Sequence, residues 1–257
     1  GHFPKVFEGV EGERLRTIKL RGQISQGLLL ALDKNLEAKI GPRPTPWFSD
    51  LEGLDVTEQL GILKWERPMN AQLAGMARGN FPTLVPKTDQ ERIQNLTRSF
   101  EQYQQDTWSI TEKLDGSSCT FYLDDEDVFH VCSRNLDLKE DEANSFWKVA
   151  RKFQIEDVMR RNFMKGMAIQ GEMIGEGIQG NPYKIKGHTV KFFNAFDINE
   201  QERISMPKFV ELIDNLGLDF VPFLETPFLL PSTVEDLLKY AEDKSRLNPE
   251  TEREGVV

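Results

Sequence analysis

Lys113, Asp115 and Gly116 lie within the run "TEKLDGSS" at residues 111–118. A lysine amine is a nucleophile only when neutral, and at its ordinary pKa roughly one in 2,500 is neutral at pH 7. Burial, a neighbouring cation or a metal lowers that pKa and fits a lysine for covalent chemistry. In an extended chain residues i and i+2 share a face, so Lys113 and Asp115 can point into one cleft. Gly116 lets backbone approach a bound group with no Cβ in the way. These residues alone equally fit a surface hairpin carrying a Lys-Asp pair. A second pattern, Gly175-Glu-Gly177-Ile-Gln-Gly180, matches G-x-G-x-x-G. Dinucleotide binding needs a helix directly after it. Asn181-Pro182 follows instead and reads as a turn, with Gly187 as more loop. The glycines therefore predict the turn that follows a strand.

The elements that must position these residues are legible in part. Residues 108–123 read as two strand arms around Asp115-Gly116, and 128–133 as a further strand. Strands are also predicted over 167–174 and 189–198. Thr88-Asp-Gln-Glu91 has the form of a capping box, with Ile93, Leu96, Phe100 and Tyr103 following at helical spacing. Residues 141–164 read as one long helical stretch with Phe146, Ala150, Phe153 and Val158 as core. Residues 205–216 read as a helix stopped by Gly217, and Ser232-Thr-Val-Glu235 opens another. Arg253 to Val257 looks like the start of a final strand. In the N-terminal part, 14–32 alternates and then runs apolar like strands, and "GPRPTP" at 41–46 is a connector. The class is α+β, built mainly on antiparallel sheet.

Composition bounds the function. The chain has 257 residues, 39% hydrophobic and 29% charged, as in an ordinary soluble globular protein of one or two domains. No apolar run approaches a membrane span. Cys119 and Cys132 are too few for a disulfide framework and read as buried thiols in a reducing compartment. His2, His130 and His188 show no metal-ligand spacing. The net charge is -10, with 13 acidic against 6 basic residues from Glu200 to Val257, so the overall field does not attract nucleic acid. Any such contact must be local. Lys184, Lys186 and Lys191 form either such a patch or a solvated loop, and the 235–253 charge run reads as a solvated face. Asp197 reads as structural.

Lys113 does not stand alone. Lys113-Leu-Asp-Gly116 resembles motif I of the covalent nucleotidyltransferases, the superfamily of DNA ligases, RNA ligases and capping enzymes. Ser133-Arg134-Asn135 is similar to motif Ia and Gly171-Glu172-Met-Ile-Gly175 to motif III. Phe193-Asn-Ala-Phe196-Asp197-Ile198 is similar to motif IIIa and Glu254-Gly-Val-Val257 to motif IV. They stand in the family's order. "FPTLVPKTDQERIQNL", "TEKLDGSS" and "DVTEQLGILKWE" look most like the nick-sealing enzymes often called RNA ligase 5. The resemblance implies part of an N-terminal OB-type β-barrel domain over 1–45, a connector over 46–85, and an antiparallel-sheet, ATP-grasp-like adenylyltransferase domain over 86–257. Motif V, a Lys-x-Lys strand, would follow motif IV and lies outside this sequence. The resemblance then implies either a following segment or poor adenylylation.

The resemblance also implies roles. Lys113 would take AMP from ATP as a lysyl-AMP, pass it to a 5′-phosphate end, and a 3′-hydroxyl would seal the nick. Asp115, Glu172 and Glu254 would surround Mg²⁺ or Mn²⁺, largely through its waters. Phe193 would stack on adenine, with Phe192 and Phe196 on the opposite strand face as core. Glu112 would help recognise the adenine edge. Arg134 and Asn135 would bind ribose or the phosphate end. Arg92, in the first turn of a capped helix, either meets the terminal phosphates or is a solvated helix residue. The implied partner is nicked or broken duplex RNA, and the implied protein a cytoplasmic monomer. A DNA ligase, a GTP-using capping enzyme and a non-catalytic nucleotide- or nucleic-acid-binding module are the alternatives.

Overall fold

The computed structural model describes residues 55–58, 60–62 and 75–257, and the backbone of 5–7, 10–12, 18–20 and 23–25. The chain divides into two compact units, Gly1–Pro68 and Met69–Val257. In the first, β1 (Lys5–Phe7) pairs antiparallel with β2 (Val10–Gly12), and β3 (Ile18–Leu20) with β4 (Gln23–Ser25). The "GPRPTP" connector lies outside the described residues.

The second unit holds two sheets. The larger has seven strands: β5 (Ala77–Asn80), β7 (Ser117–Leu123), β8 (Phe129–Ser133), β9 (Leu136–Leu138), β10 (Met167–Gly175), β11 (His188–Asp197) and β12 (Glu202–Arg203). Their spatial order is β12-β11-β10-β7-β8-β9-β5, and every pairing is antiparallel. The smaller sheet sets β6 (Thr107–Lys113) between β13 (Phe223–Leu229) and β14 (Gly255–Val256). The two arms around Asp115-Gly116 are therefore no hairpin. β6 belongs to one sheet and β7 to the other, and the turn Leu114–Gly116 is the corner between them.

Side-chain alternation explains the layering. On β7, Cys119, Phe121 and Leu123 face the main core, and on β10 so do Ile169 and Met173. That core is closed by α2 (Ser145–Lys152), α3 (Ile155–Arg161) and α4 (Met206–Asn215), through residues such as Trp147, Ile155, Met159 and Ile213. Each such fully buried side chain stabilises the fold by about 1.5–3 kcal/mol. The intervening residues Tyr122, Cys132 and Ala168 point to the other face, where Phe81 and Val85 cover them. Glu172 shares that second face, two residues beyond the buried Gln170, whose amide donates to the Pro86 carbonyl at 2.9 Å. The small sheet packs Ile110 and Phe228 against Phe100 of the single turn α1 (Phe100–Tyr103) and Leu237 of α5 (Val234–Ala241).

Three expectations are corrected. The capping box does not form: the Thr88 and Ser118 hydroxyls share a hydrogen bond of 2.8 Å. Two 3-10 turns, Ile93–Asn95 and Thr97–Ser99, replace the first part of the expected helix. Thr88 has found a tertiary partner, which outweighs its local capping use. The 141–164 stretch is two helices, because Gln154 between them adopts φ +50° and breaks the ladder. The third correction is a β-bulge. Gln170 pairs with Asn194 but Gly171 with Phe192, so Phe193 is an extra residue on β11. Beyond the bulge the alternation inverts. Phe192 and Ala195 face the helix-covered core, whereas Phe196 packs with Tyr122, Cys132 and Ala168 on the other side. Phe192 and Phe196 are both core, as expected, but on opposite faces.

The thiols of Cys119 and Cys132 are free and buried. At the far end of β7 and β8, His130 stacks on Tyr122 with ring centroids 4.3 Å apart. Its Nδ1 lies 2.8 Å from Asp137 and its Nε2 3.0 Å from Asp124. Arg78 Nη1 is 3.1 Å from the same Nδ1, but that nitrogen cannot accept from Arg78 while donating to Asp137. The shorter carboxylate contact takes the proton.

Candidate active site

The site is built on the corner between the two sheets. Gly116 is wedged against β10: a Cβ there would lie 2.4 Å from the Met173 carbonyl oxygen and 2.7 Å from Ile174. Only glycine lets the turn sit this close. The Asp115 N–H donates to the Tyr183 hydroxyl at 2.7 Å, and the Gln179 amide donates to the Gly116 carbonyl at 3.4 Å. The glycine pattern's turn therefore grips the corner that follows Lys113. Gly175, Gly177, Gly180 and Gly187 all take positive φ there, and no helix follows. At Gly175 a Cβ would meet the Gly187 carbonyl at 2.0 Å, which draws the turn's two ends together.

Four charged groups meet at this corner. The Lys113 amine is ion-paired to Glu254, which β14's pairing with β6 brings alongside. Burial pushes the Glu172 carboxyl up to about 7; Lys113 and the Gly116 N–H oppose that rise, while the charges of Glu254 and Asp115 add to it. Burial also raises Asp115, with Glu254 adding and Lys113 opposing. Three carboxylates thus surround one ammonium, an excess of negative charge at the mouth of a fold. Among the described residues no three His, Cys, Asp or Glu side chains converge to hold a metal ion directly. The charge excess fits a divalent cation carried with its water shell.

Glu112 points the other way from Lys113 and is only 1% exposed. Its Oε2 accepts the Arg246 N–H at 2.8 Å, and its Oε1 has no hydrogen-bond partner. A buried carboxylate oxygen without a donor is costly and calls for a ligand. Nearby, Leu114, Ile174, Tyr183 and Val221 form a small apolar cluster, with the half-buried Phe193 against it. The bulge delivers Phe193 to this cluster.

The remaining expected residues lie around the corner. Arg134 is ion-paired to Asp89, and Asn135 accepts from Lys87 at 2.7 Å. Both therefore adjoin the segment that Thr88 ties to Ser118 on β7. Arg92 is exposed and extended just before a 3-10 turn, not inside a capped helix. Asp197 caps its own turn, accepting from the N–H groups of Asn199 and Glu200 at 3.0 Å each. Lys184 and Lys191 are paired with Glu250 and Asp219. Sequence reasoning missed Tyr183 and the loop 243–253. A tyrosine alone among glycines and polar residues, and Ser245 three residues before Asn248-Pro249, were the available signals.

A family model described as RNA ligase matches residues 106–257. Among solved structures, Naegleria gruberi RNA ligase in a glutamate-to-alanine variant with AMP and Mn is 38% identical, with a TM-score of 0.68 over 97% of this chain and 72% of that one. The same organism's RNA ligase with PPi is 38% identical at a TM-score of 0.67, covering 98% of this chain and 73% of that one. A lysine-to-alanine variant with ATP and Mn is 37% identical at 0.68, again over 98% and 73%. No curated protein matches this chain. No helix among the described residues is long and apolar enough to cross a membrane. The antiparallel sheets, the lysine at their corner and a match over more than half of its length agree: this chain belongs to the RNA ligase family of enzymes.

Proposed function

We propose that this chain is an ATP-dependent RNA ligase working through a covalent adenylate on Lys113. The observation that carries the reading is the Lys113 amine at the corner between two sheets, paired with Glu254 and within the fields of Glu172 and Asp115. Freed from Glu254 and with a proton released to solvent, Nζ attacks the α-phosphorus of ATP. An N–P bond forms, and the P–O bond to pyrophosphate breaks. AMP then moves from Nζ to the 5′-phosphate of an RNA end, and a 3′-hydroxyl displaces it to leave a phosphodiester. Such transfers depend on positioning and charge stabilisation, which a rigid corner supplies.

Relatives solved with ATP or AMP and Mn support ATP and a divalent cation as partners here. Asp115, Glu172 and Glu254 would hold that cation through its water shell, and it would supply positive charge to the triphosphate. The cluster of Leu114, Ile174 and Phe193 suits a purine face, with Phe193 as its aromatic shelf. Glu112 Oε1 suits the exocyclic amine of adenine, a donor that guanine lacks at that position. Arg134 and Asn135 would meet ribose or the phosphate end, and Arg92 the terminal phosphates. The runs "FPTLVPKTDQERIQNL", "TEKLDGSS" and "DVTEQLGILKWE" favour the nick-sealing RNA ligase 5 group, and with it a duplex substrate with 3′-hydroxyl and 5′-phosphate ends and an OB-type N-terminal domain; the protein would act as a cytoplasmic monomer.

Intact mass after incubation with ATP and Mn²⁺ tests the reading. A gain of one AMP that disappears in Lys113→Ala is the expected result. No gain with ATP and a gain with GTP would turn the reading toward a capping enzyme. No gain with either nucleotide would leave a non-catalytic binding module.

A further inference from the structure

The segment 243–253, which sequence reasoning left as a solvated face, is a closed loop with an apolar and polar underside. Its ends meet in a bridge between Lys244 and Glu252, and the Ser245 N–H donates to the Thr251 carbonyl at 3.0 Å. Inside, the Ser245 hydroxyl accepts from the N–H of Leu247 at 3.0 Å and of Asn248 at 3.4 Å. Ser245 is 3% exposed and Asn248 9%. The Asn248 amide donates to the Pro182 carbonyl at 2.8 Å, one residue from Tyr183, and Leu247 packs on the cluster of Leu114, Ile174, Tyr183 and Val221. Between these anchors the Arg246 N–H is aimed at Glu112 Oε2. The next residue after the loop is Glu254, the partner of Lys113.

The arrangement leaves Glu112 one free oxygen, and the loop decides which. A carboxylate on three rotatable bonds could otherwise turn away from a ligand or fold back on its own strand. Held by Arg246, it presents Oε1 alone. We propose that the 243–253 loop is a specificity-determining element for the purine: through the Arg246 N–H it fixes Glu112 to accept from a 6-amino group, with Ser245 as the positioning residue. This rests on the reading of Glu112 as the base-recognising group given above.

The test compares lysine adenylylation from ATP and from purine riboside triphosphate, which lacks the 6-amino group. In the unaltered protein ATP is favoured by roughly tenfold or more, the scale of a hydrogen bond to a charged acceptor. In Ser245→Ala the preference falls to within about twofold, through a higher KM for ATP with kcat little changed. A merely structural role would lower both nucleotides alike. An unchanged preference in a folded Ser245→Ala overturns the inference. A second measurement needs no variant: the Arg246 amide of the unaltered protein gains protection from hydrogen exchange with ATP and not with purine riboside triphosphate. Equal protection by both also overturns it. If the unaltered protein takes no label from ATP, the function reading fails; if it labels and the preference persists in the variant, only this inference fails.

Discussion

Two clusters of acid and base lie at opposite ends of the same strands. At the far end of β7 and β8, both nitrogens of His130 face carboxylates, Asp137 at 2.8 Å and Asp124 at 3.0 Å. At the near end, Asp115, Glu172 and Glu254 crowd one lysine, and the neighbouring Glu112 keeps an oxygen with no partner. The far cluster is balanced and the near one is not. Burial would lower the His130 pKa, but its hydrogen bonds to Asp137 and Asp124 outweigh that and hold it above the ordinary value. Burial drives Glu172 the other way, toward its neutral form. A buried polar group with every partner in place is structural; one held in surplus or without a partner is kept for a ligand.

Neutralising one side chain in each cluster breaks the comparison if the two respond alike. The largest effect is expected at the far end. His130→Gln removes two charge-assisted hydrogen bonds, to Asp124 and Asp137, although Arg78 stays beside them, and should cost about 4 kcal/mol in denaturant unfolding, while adenylylation below the melting range persists. In the unaltered protein this contribution is present below the unfolded-state pKa of His130. It is lost as pH rises through the raised folded value, from about 6.5 upward. A loss of adenylylation in the folded variant would mean that the far cluster is not merely structural.

At the near end the pH slope has the same sign, but neutralising the group has the opposite effect. Glu172 binds its proton more tightly folded than unfolded, so between about 4.5 and about 7 stability falls as pH rises. Glu172→Gln should therefore stabilise the protein in EDTA at pH 8, by on the order of 3 kcal/mol, and flatten that slope, while adenylylation drops sharply. Equal stability of the two proteins at pH 8 would show that the near-end charge is not strained. The smallest effect belongs to the surface. Lys184→Ala removes an exposed pair with Glu250 and should leave the melting temperature and the labelling rate unchanged.

Lys113 and Asp115 were legible as a pair because alternate strand residues share a face, whereas Glu172 and Glu254, far away in sequence, were named only through the family resemblance of their short runs. Lys113, Asp115, Glu172 and Glu254 do meet. What escaped depends on contacts between distant segments. Thr88 carried a sound helix-start signal, and only Ser118, 30 residues away, diverts it. Tyr183 reads as a loop aromatic until Asp115 is seen above it. The loop over Glu112 looked solvated because its charges do face water; its working contacts are a main-chain N–H, a serine and an asparagine. The inverted facing of Phe196 could not be read from alternation, since one inserted residue resets the parity of everything after it.

That reset bears on how this strand tolerates insertion and deletion over evolutionary time. Removing one residue at Phe193 would restore a regular ladder with Phe192 and the residues before it unmoved, and would seem harmless to any measure of β-propensity. It would also strip the aromatic from the apolar cluster at the nucleotide corner and take away the re-aiming that the bulge provides. Length at this point thus matters more than identity: another flat side chain could serve at position 193, but the loss of that one residue would remove the bulge itself.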